Sequence, residues 1–367
     1  MSKKISFAGP WITEKEMDAV LNAVKSGWYE NYTRDTEELI DTVCSYTGMK
    51  YAIPTHCCTL ALHLATASLG LGKGDEVIVT DHSWVATAYA ITYTGAKCIF
   101  VDIDPETLCI DPQAIENAIT ENTKAIMLVH NFGLPADMNR IMDIAKLHRL
   151  KVIEDAAPAM GSTYKGHRVG TFGDVSCFSF QGAKIAVAGE GGVYLTNNEE
   201  VFQKATLLAN MGRTDRVMPF WSDSLGYQYT ISNLSAALAN VQMKRIDELV
   251  EKKRQLFIWY RDRLMNHPKI SVVHEQKDTF GNYCYPSIFI KDSDTPRDEI
   301  LTIFRDHNIH ARPGFPQMSN FPIYVNDKRF ENPVAKRFEK NGLVLPSAAN
   351  LDENDIDFVC EILLKLL

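Results

Sequence analysis

Lys184 is the residue in this chain best placed to act as a nucleophile. It lies in a loop, Gln-Gly-Ala-Lys184, that runs on through Ile-Ala-Val-Ala-Gly-Glu-Gly to Gly192. The run before it, Ser176-Cys-Phe-Ser-Phe, reads as a buried strand. An apolar setting disfavours an ammonium and frees the amine to attack a carbonyl. The glycines let backbone pass close to a ligand. A solvated surface lysine is the plain alternative, and spacing alone does not separate the two.

A second chemical group follows Lys151-Val-Ile, where Glu154 and Asp155 stand side by side. Carboxylates that end a buried strand need partners. A helix N-terminus or a structural ion pair would serve. So would a cationic ring nitrogen, because a pyridinium cofactor draws electrons only while its ring stays protonated. Thr55-His-Cys-Cys-Thr59 opens a helix straight after a short strand. Small and polar residues there suit a phosphate, through free N–H groups and the helix dipole. Simple capping by Thr55 or Thr59 reads equally well. Trp84 follows Thr80-Asp-His-Ser at another strand end, where its ring would either lie on a planar ligand or join the core.

These groups must be held by the elements around them. Residues 13–26 form an amphipathic pattern with Thr13 as N-cap, Glu16 three residues on, and Gly27 as stop. A second helix is expected over 36–47. Beyond residue 50, short apolar runs alternate with helical stretches. Strands are expected at 76–80, 97–101, 125–130 and 151–154, with helices at 86–94, 112–119 and 138–147 between them. The strands are continuously apolar (Val-Ile-Val, Ile-Met-Leu-Val), as when helices cover both faces. This alternation predicts an α/β fold with a mostly parallel central sheet. Ligands of such sheets sit at the carboxyl ends of the strands, where the residues above fall.

Past residue 172 the rhythm changes. Strands are expected at 175–180 and 192–196 and one long helical stretch over 234–264. The domain boundary is placed within that stretch, giving a large domain over 1–245 and a smaller C-terminal α+β domain over 246–367. The smaller domain has strands near 271–274 and 285–290 and helices near 298–307 and 354–367.

Composition narrows the classes. The chain has 367 residues, 46% of them hydrophobic, and a net charge of -8. No basic stripe is present, which argues against nucleic acid as a partner. No run approaches the roughly 18 apolar residues of a membrane helix, and the N-terminal stretch lacks a signal-peptide core, so a cytoplasmic location away from any membrane is expected. Eight cysteines form no C-x-x-C pair, so reduced thiols and no metal site are expected. No G-x-G-x-x-G follows a strand, which disfavours a nicotinamide enzyme.

In their order along the chain, these segments resemble the DegT/DnrJ/EryC1/StrS sugar aminotransferases, of pyridoxal-phosphate (PLP) transferase fold type I. The resemblance rests on Gly-Asp-Glu-Val-Ile-Val at 74–79, Gly-Ala-Lys-Cys-Ile-Phe-Val-Asp at 95–102 and Gly-Thr-Phe-Gly-Asp-Val at 170–175. It extends to Phe-Ser-Phe before Lys184, Gly-Glu-Gly-Gly after it, and Gly-Tyr-Gln-Tyr at 226–229 followed by Asn233. It implies that Lys184 forms the Schiff base and shuttles the proton, and that Asp155 pairs with the ring nitrogen. It implies that Trp84 stacks on the ring, and that Cys58, Thr59 and Ser179 hold the phosphate. Asn233 would reach the phosphate of a neighbouring subunit, which implies a homodimer with shared active sites.

The sequence departs from the family's pattern in places. His56-Cys57-Cys58-Thr59 stands for the usual Ser-Asn-Gly-Thr, and Pro158 stands where a side chain commonly approaches the ring oxygen. Arg312 to Tyr324 keeps the outline of the substrate loop, with Ser319 in place of a histidine. Arg312, Ser319 and Tyr324 are therefore expected on the substrate side, with Arg312, or less favourably Arg213, gripping a carboxylate.

The implied reaction moves an amino group from glutamate to a keto or aldehyde sugar, in the making of cell-surface polysaccharide or lipopolysaccharide sugars. The acceptor is either a nucleotide-linked 4-keto-6-deoxy sugar or a free sugar acid such as 8-oxo-3,8-dideoxy-octulosonate. A PLP-dependent sugar dehydratase would carry histidine in place of Lys184. A non-catalytic sensor on the same fold would have no need of Lys184, Asp155 and Ser179 together.

Overall fold

A computed structural model describes residues 3–214, 221–291, 295–327 and 329–367. The first two residues of the stretch read for a leader thus lie outside the described residues. Two helices come first, α1 (Glu14–Ser26) and α2 (Arg34–Thr47). Glu16 accepts hydrogen bonds from both the N–H and the hydroxyl of Thr13, at 2.7 and 2.6 Å, which fixes the start of α1.

The main sheet begins with β1 (Tyr51–Thr55), followed by α3 (Cys58–Ser68), β2 (Glu76–Thr80), α4 (Ala86–Thr92) and β3 (Lys97–Val101). Then come α5 (Pro112–Ala118), β4 (Thr123–Val129), α6 (Met138–His148) and β5 (Lys151–Asp155). Two short strands follow, β6 (Thr163–Tyr164) and β7 (His167–Arg168), before β8 (Val175–Ser179) and β9 (Gly192–Thr196). The order across the seven-stranded sheet is β1-β9-β8-β5-β4-β2-β3. The β2–β3, β2–β4, β4–β5 and β5–β8 pairs are parallel, and only β9 is reversed against its neighbours.

Burial explains the apolar runs. Val77 and Val79 of β2 pack with α3 and α4, while Ile78 between them packs with α5 and α6. Both faces are covered, and each fully buried aliphatic side chain contributes roughly 1.5–3 kcal/mol.

Next come α7 (Glu199–Ala209), α8 (Asn233–Lys244) and α9 (Ile246–Leu264). The single helix expected over 234–264 is broken at Arg245. Its guanidinium donates to Glu248 at 3.0 Å and to the buried Glu16 at 2.5 Å, a partner over two hundred residues away that no local pattern reveals. Helix α7 was not expected, although the Asn198 side chain caps it by accepting from Val201 N–H at 3.1 Å.

The remainder contributes β10 (Ile270–Val272), β11 (Thr279–Phe280), β12 (Ser287–Ile290), α10 (Arg297–Asp306), β13 (Arg312–Pro313), α11 (Pro333–Asn341), β14 (Gly342–Val344) and α12 (Glu353–Leu366). Strand β11 joins β6 and β7; the others form an antiparallel sheet ordered β10-β12-β14-β13. Its core sets Ile288, Ile290 and Leu343 against α9, α10 and α12, and takes in Ile5 from the far end of the chain, bridged to Ile309. No described helix is long and apolar enough to cross a membrane.

Candidate active site

Because only β9 is reversed, the last residues of β1, β2, β5 and β8 share one edge with the first residue of β9. Gly192 pairs there with both Thr55 and Ser179. Helix α3 starts at this edge. Its N-cap is Cys57, and no side chain caps it. Thr55 instead donates its hydroxyl to the Cys57 carbonyl at 2.9 Å. The first-turn N–H groups, those of Cys58 and Thr59 among them, are therefore left to an anion. A Cβ on Gly192 would lie 2.6 Å from Cys58 N and 2.7 Å from Cys57 C, so glycine lets β9 approach the helix start. Burial, then the Asp155 charge, pushes the Cys58 thiol far above its ordinary pKa, so this side chain stays neutral.

The acidic pair divides its labour. Glu154 is fully buried and accepts four hydrogen bonds, from Gly170, Phe172 and Gly173 N–H at 2.6–2.7 Å and from His130 Nε2 at 3.0 Å. His130 Nδ1 accepts the Ala136 N–H at 3.1 Å, so Nε2 carries the proton it gives to Glu154. This carboxylate is structural: it holds the 170–173 loop against β5. Among the described residues Asp155 accepts two, from Thr87 Oγ at 2.7 Å and Ala157 N–H at 3.1 Å. Burial raises its pKa, while these two bonds and the Lys184 charge oppose the rise. Such a carboxylate gains by meeting a cation.

Lys184 sits on the tight connection between β8 and β9. Its N–H donates to Gln181 O at 2.8 Å, and Gly182 N–H closes the loop onto Gly189 O at 2.9 Å. The apolar residues 185–188 are buried and anchor the partly buried lysine. Its Nζ is 5.6 Å from the centre of the Tyr285 ring, and the Tyr285 hydroxyl donates to Ala183 O at 2.9 Å. The buried Ser179 hydroxyl accepts the Gln181 N–H at 3.3 Å.

Trp84 is 65% exposed, so its ring is open to a planar partner. Its carbonyl accepts from Thr87 Oγ, the same hydroxyl that serves Asp155, which ties the two expected cofactor contacts together. Thr87 and Tyr285 went unrecognised in the sequence. The position of Thr87 in the first turn of α4, three residues after Trp84, was the readable signal.

The remaining expected residues are spread more widely. Asn233 opens α8, and its amide donates to Gly27 O and accepts from Asp35 N–H, both at 3.1 Å, so within one chain it joins α8 to α1 and α2. Arg312 is exposed on β13, 5.5 Å from the Phe7 ring, which stacks on Tyr285 beside Lys184. Ser319 is fully buried, with both its N–H and its hydroxyl on Asp81 at 2.7 Å. Tyr324 is buried, its hydroxyl on Thr92 Oγ at 2.7 Å and its ring against Phe100. Ser319 and Tyr324 thus serve the seating of the loop, their hydroxyls taken up by Asp81 and Thr92. Arg213 lies near the end of α7, its backbone bonded to Asn210 O at 3.0 Å. Pro158 gives its carbonyl to Asn282 Nδ2 at 2.9 Å.

An uncapped helix start, a desolvated carboxylate, an open aromatic face and a lysine on an anchored loop together fit a phosphorylated, cationic, planar cofactor. Known proteins agree. The model for the DegT/DnrJ/EryC1/StrS aminotransferase family matches residues 10–364. The chain is 36% identical over 359 residues to GDP-perosamine synthase of Escherichia coli O157:H7, spanning 98% of this chain and 97% of that one. It is 35% identical over 370 residues to GDP-perosamine synthase of Caulobacter vibrioides, spanning 99% and 98%. Among solved structures, the putative sugar aminotransferase Spr1654 of Streptococcus pneumoniae, in its PMP form, superposes with a TM-score of 0.93 at 25% identity, covering 99% and 98%. The protein is a transaminase whose cofactor is pyridoxal phosphate, and the chain belongs to the DegT/DnrJ/EryC1/StrS aminotransferase family.

Proposed function

We propose that the protein moves the amino group of glutamate to a nucleotide-linked keto sugar, the one that amination turns into GDP-perosamine. The observation that carries this reading is full-length likeness, at 36% and 35% identity, to two GDP-perosamine synthases. When bound, PLP withdraws electrons and makes the C–H beside the transferred nitrogen acidic. The residues of the chain do the rest. The α3 N-terminus with Cys58, Thr59 and Ser179 would hold the phosphate, Asp155 would keep the ring nitrogen protonated, and Trp84 would lie against the ring. In each half-reaction Lys184 Nζ would move one proton between the substrate carbon and the cofactor, off the donor carbon in the first and onto the acceptor carbon in the second. Arg312, reached from Lys184 through Tyr285 and Phe7, grips the glutamate carboxylate.

The working unit of this proposal is a homodimer. Met17, Leu21 and Val24 recur at helical spacing along α1 and Trp28 follows just past its end, each about half exposed. Gly27, at the end of this stripe, is bonded to Asn233, which places the stripe beside the residue assigned to the neighbour's phosphate. A second copy of the chain would cover this apolar face.

The test follows the cofactor spectrum. Glutamate should convert the PLP form to the amine form. The GDP-linked keto sugar should restore the original band, and Lys184→Ala should do neither. Restoration by 8-oxo-3,8-dideoxy-octulosonate but not by the GDP-linked keto sugar would overturn the assignment of the acceptor.

A further inference from the structure

Of the residues that follow β2, Asp81, His82 and Trp84 meet the segment 315–319. Asp81 is fully buried. Its Oδ1 accepts the Ser319 N–H at 2.7 Å. Its Oδ2 accepts Ser319 Oγ at 2.7 Å, Asn332 Nδ2 at 2.8 Å and Gln317 Nε2 at 2.9 Å. Its backbone carbonyl accepts the Met318 N–H at 3.1 Å. None of these donors is charged. Burial raises the Asp81 pKa, and the hydrogen bonds work against that rise.

The donors cannot easily turn away. Gln317 Nε2 also donates to the carbonyls of Glu331 and Asn332, at 3.2 and 3.4 Å, and Asn332 Nδ2 to the Phe100 carbonyl at 3.3 Å. Flipping either amide would set its oxygen against those carbonyls. His82, next in the chain, is fully buried among Phe132, Phe315 and Phe338, at 5.5, 5.5 and 5.0 Å between ring centres. Neither of its ring nitrogens has a hydrogen-bond partner among the described residues, and burial holds its pKa at about 3, so it packs as a neutral ring. Trp84 then touches Phe315, 6.5 Å away. One short stretch thus carries the aromatic that covers the cofactor and the anchor for a segment more than two hundred residues distant.

We propose that Asp81 is a positioning residue that latches the segment 315–319 onto the cofactor-stacking loop, fixing the wall against which the sugar acceptor sits while leaving the amino donor unaffected. The separation follows from what holds each part. Arg312, the proposed grip for glutamate, is fixed by β13 pairing with β14 and by Phe7, outside the latch. Glutamate needs that grip and Lys184; a bulky sugar needs a formed wall as well. The inference rests on the reading that the acceptor is such a sugar.

Asp81→Asn keeps size but replaces one acceptor oxygen with a donor, which must then face a donor from Ser319, Gln317 or Asn332. Ser319→Ala removes one of the four bonds and keeps the backbone one. In Asp81→Asn holoenzyme, the half-reaction with glutamate should stay within about twofold of the parent. The return half-reaction with the GDP-linked keto sugar should slow about 10- to 100-fold, the worth of one or more hydrogen bonds to a charged group. Amide-hydrogen exchange should show protection lost over 315–324. Ser319→Ala should move the same way by about tenfold, and it carries the test if Asp81→Asn does not fold. Equal loss in both half-reactions, or unchanged protection over 315–324, overturns the latch. If the parent enzyme itself ignores the GDP-linked keto sugar, the acceptor assignment fails. Exchange and the glutamate half-reaction then decide the latch alone: lost protection with an intact glutamate step supports it, and retained protection refutes it.

Discussion

Gly192→Ala isolates how the proposed phosphate cradle is built. The backbone dihedrals at Gly192 lie in ordinary space, so alanine meets no conformational penalty there. The obstacle is room. The added Cβ would stand 2.6–2.7 Å from three backbone atoms of Cys57 and Cys58, where ordinary contact begins at 3.4 Å. Backbone cannot rotate away as a side chain can, so β9 and the start of α3 must separate by about 0.7 Å. Overpacking of this kind costs about 1–3 kcal/mol of stability. The first-turn N–H groups move with Cys58, and a weakened charge-assisted hydrogen bond to phosphate costs a further ~1.5–3 kcal/mol of cofactor binding. The expected outcome is a 10- to 100-fold rise in the Kd for PLP, read by titrating apoprotein, together with a lower Tm of the apoprotein. Gly9→Ala is the control, since its Cβ would meet only Ala348 Cβ, at 3.8 Å. Wild-type PLP affinity and Tm in Gly192→Ala would refute the cradle as described.

Three further outcomes are expected. Burial alone would raise the Glu16 pKa, but hydrogen bonds from Thr13, Arg245 and Gln242 outweigh it and hold the group at about 2, against 4.5 unperturbed. A depressed carboxylate stabilises the fold above its unfolded pKa and loses that stability as pH falls toward the folded one, so Glu16→Gln should cost about 3 kcal/mol at pH 7 and flatten the loss between pH 4.5 and 2 in denaturant melts. Thr87→Val removes one of two hydrogen bonds on Asp155, which raises its pKa further; the acid limb of kcat/KM should move to higher pH and activity fall about tenfold, whereas an unmoved limb contradicts the role of Thr87. Leu21→Asp, in the middle of the exposed α1 stripe, should shift the protein to monomers in sedimentation experiments, and an unchanged mass excludes this face as the contact.

Sequence pattern carries the parallel sheet because burial on both faces leaves continuous apolar runs, whereas Lys184 and Asp155 are singled out by the family resemblance, since a loop lysine after β8 and an acidic pair ending β5 each have a plain structural reading as well. It does not say which of Glu154 and Asp155 does chemistry. That depends on donors from 170–173 and His130, which only the folded chain brings together. The break at Arg245 is equally hidden, since its cause is Glu16 in another helix. Ser319 was read from the loop in which it stands, yet its partner Asp81 is 238 residues away. Local propensity gives the elements; the choice between neighbouring residues is made by contacts across the sheet.

The reversal of β9 also bears on when the cofactor can be captured. Strand β1 pairs with a strand that begins at Gly192, so the two halves of the proposed phosphate cradle are closed by a loop of about 140 residues. Contacts so far apart in sequence form late, because the entropy of closing the loop must be met before they contribute. The four strands β2–β5 can assemble without them. A growing chain therefore has no cradle until β9 has left the ribosome and slotted between β1 and β8. Cofactor uptake marks a finished sheet, and PLP binding stabilises only chains that have reached that stage.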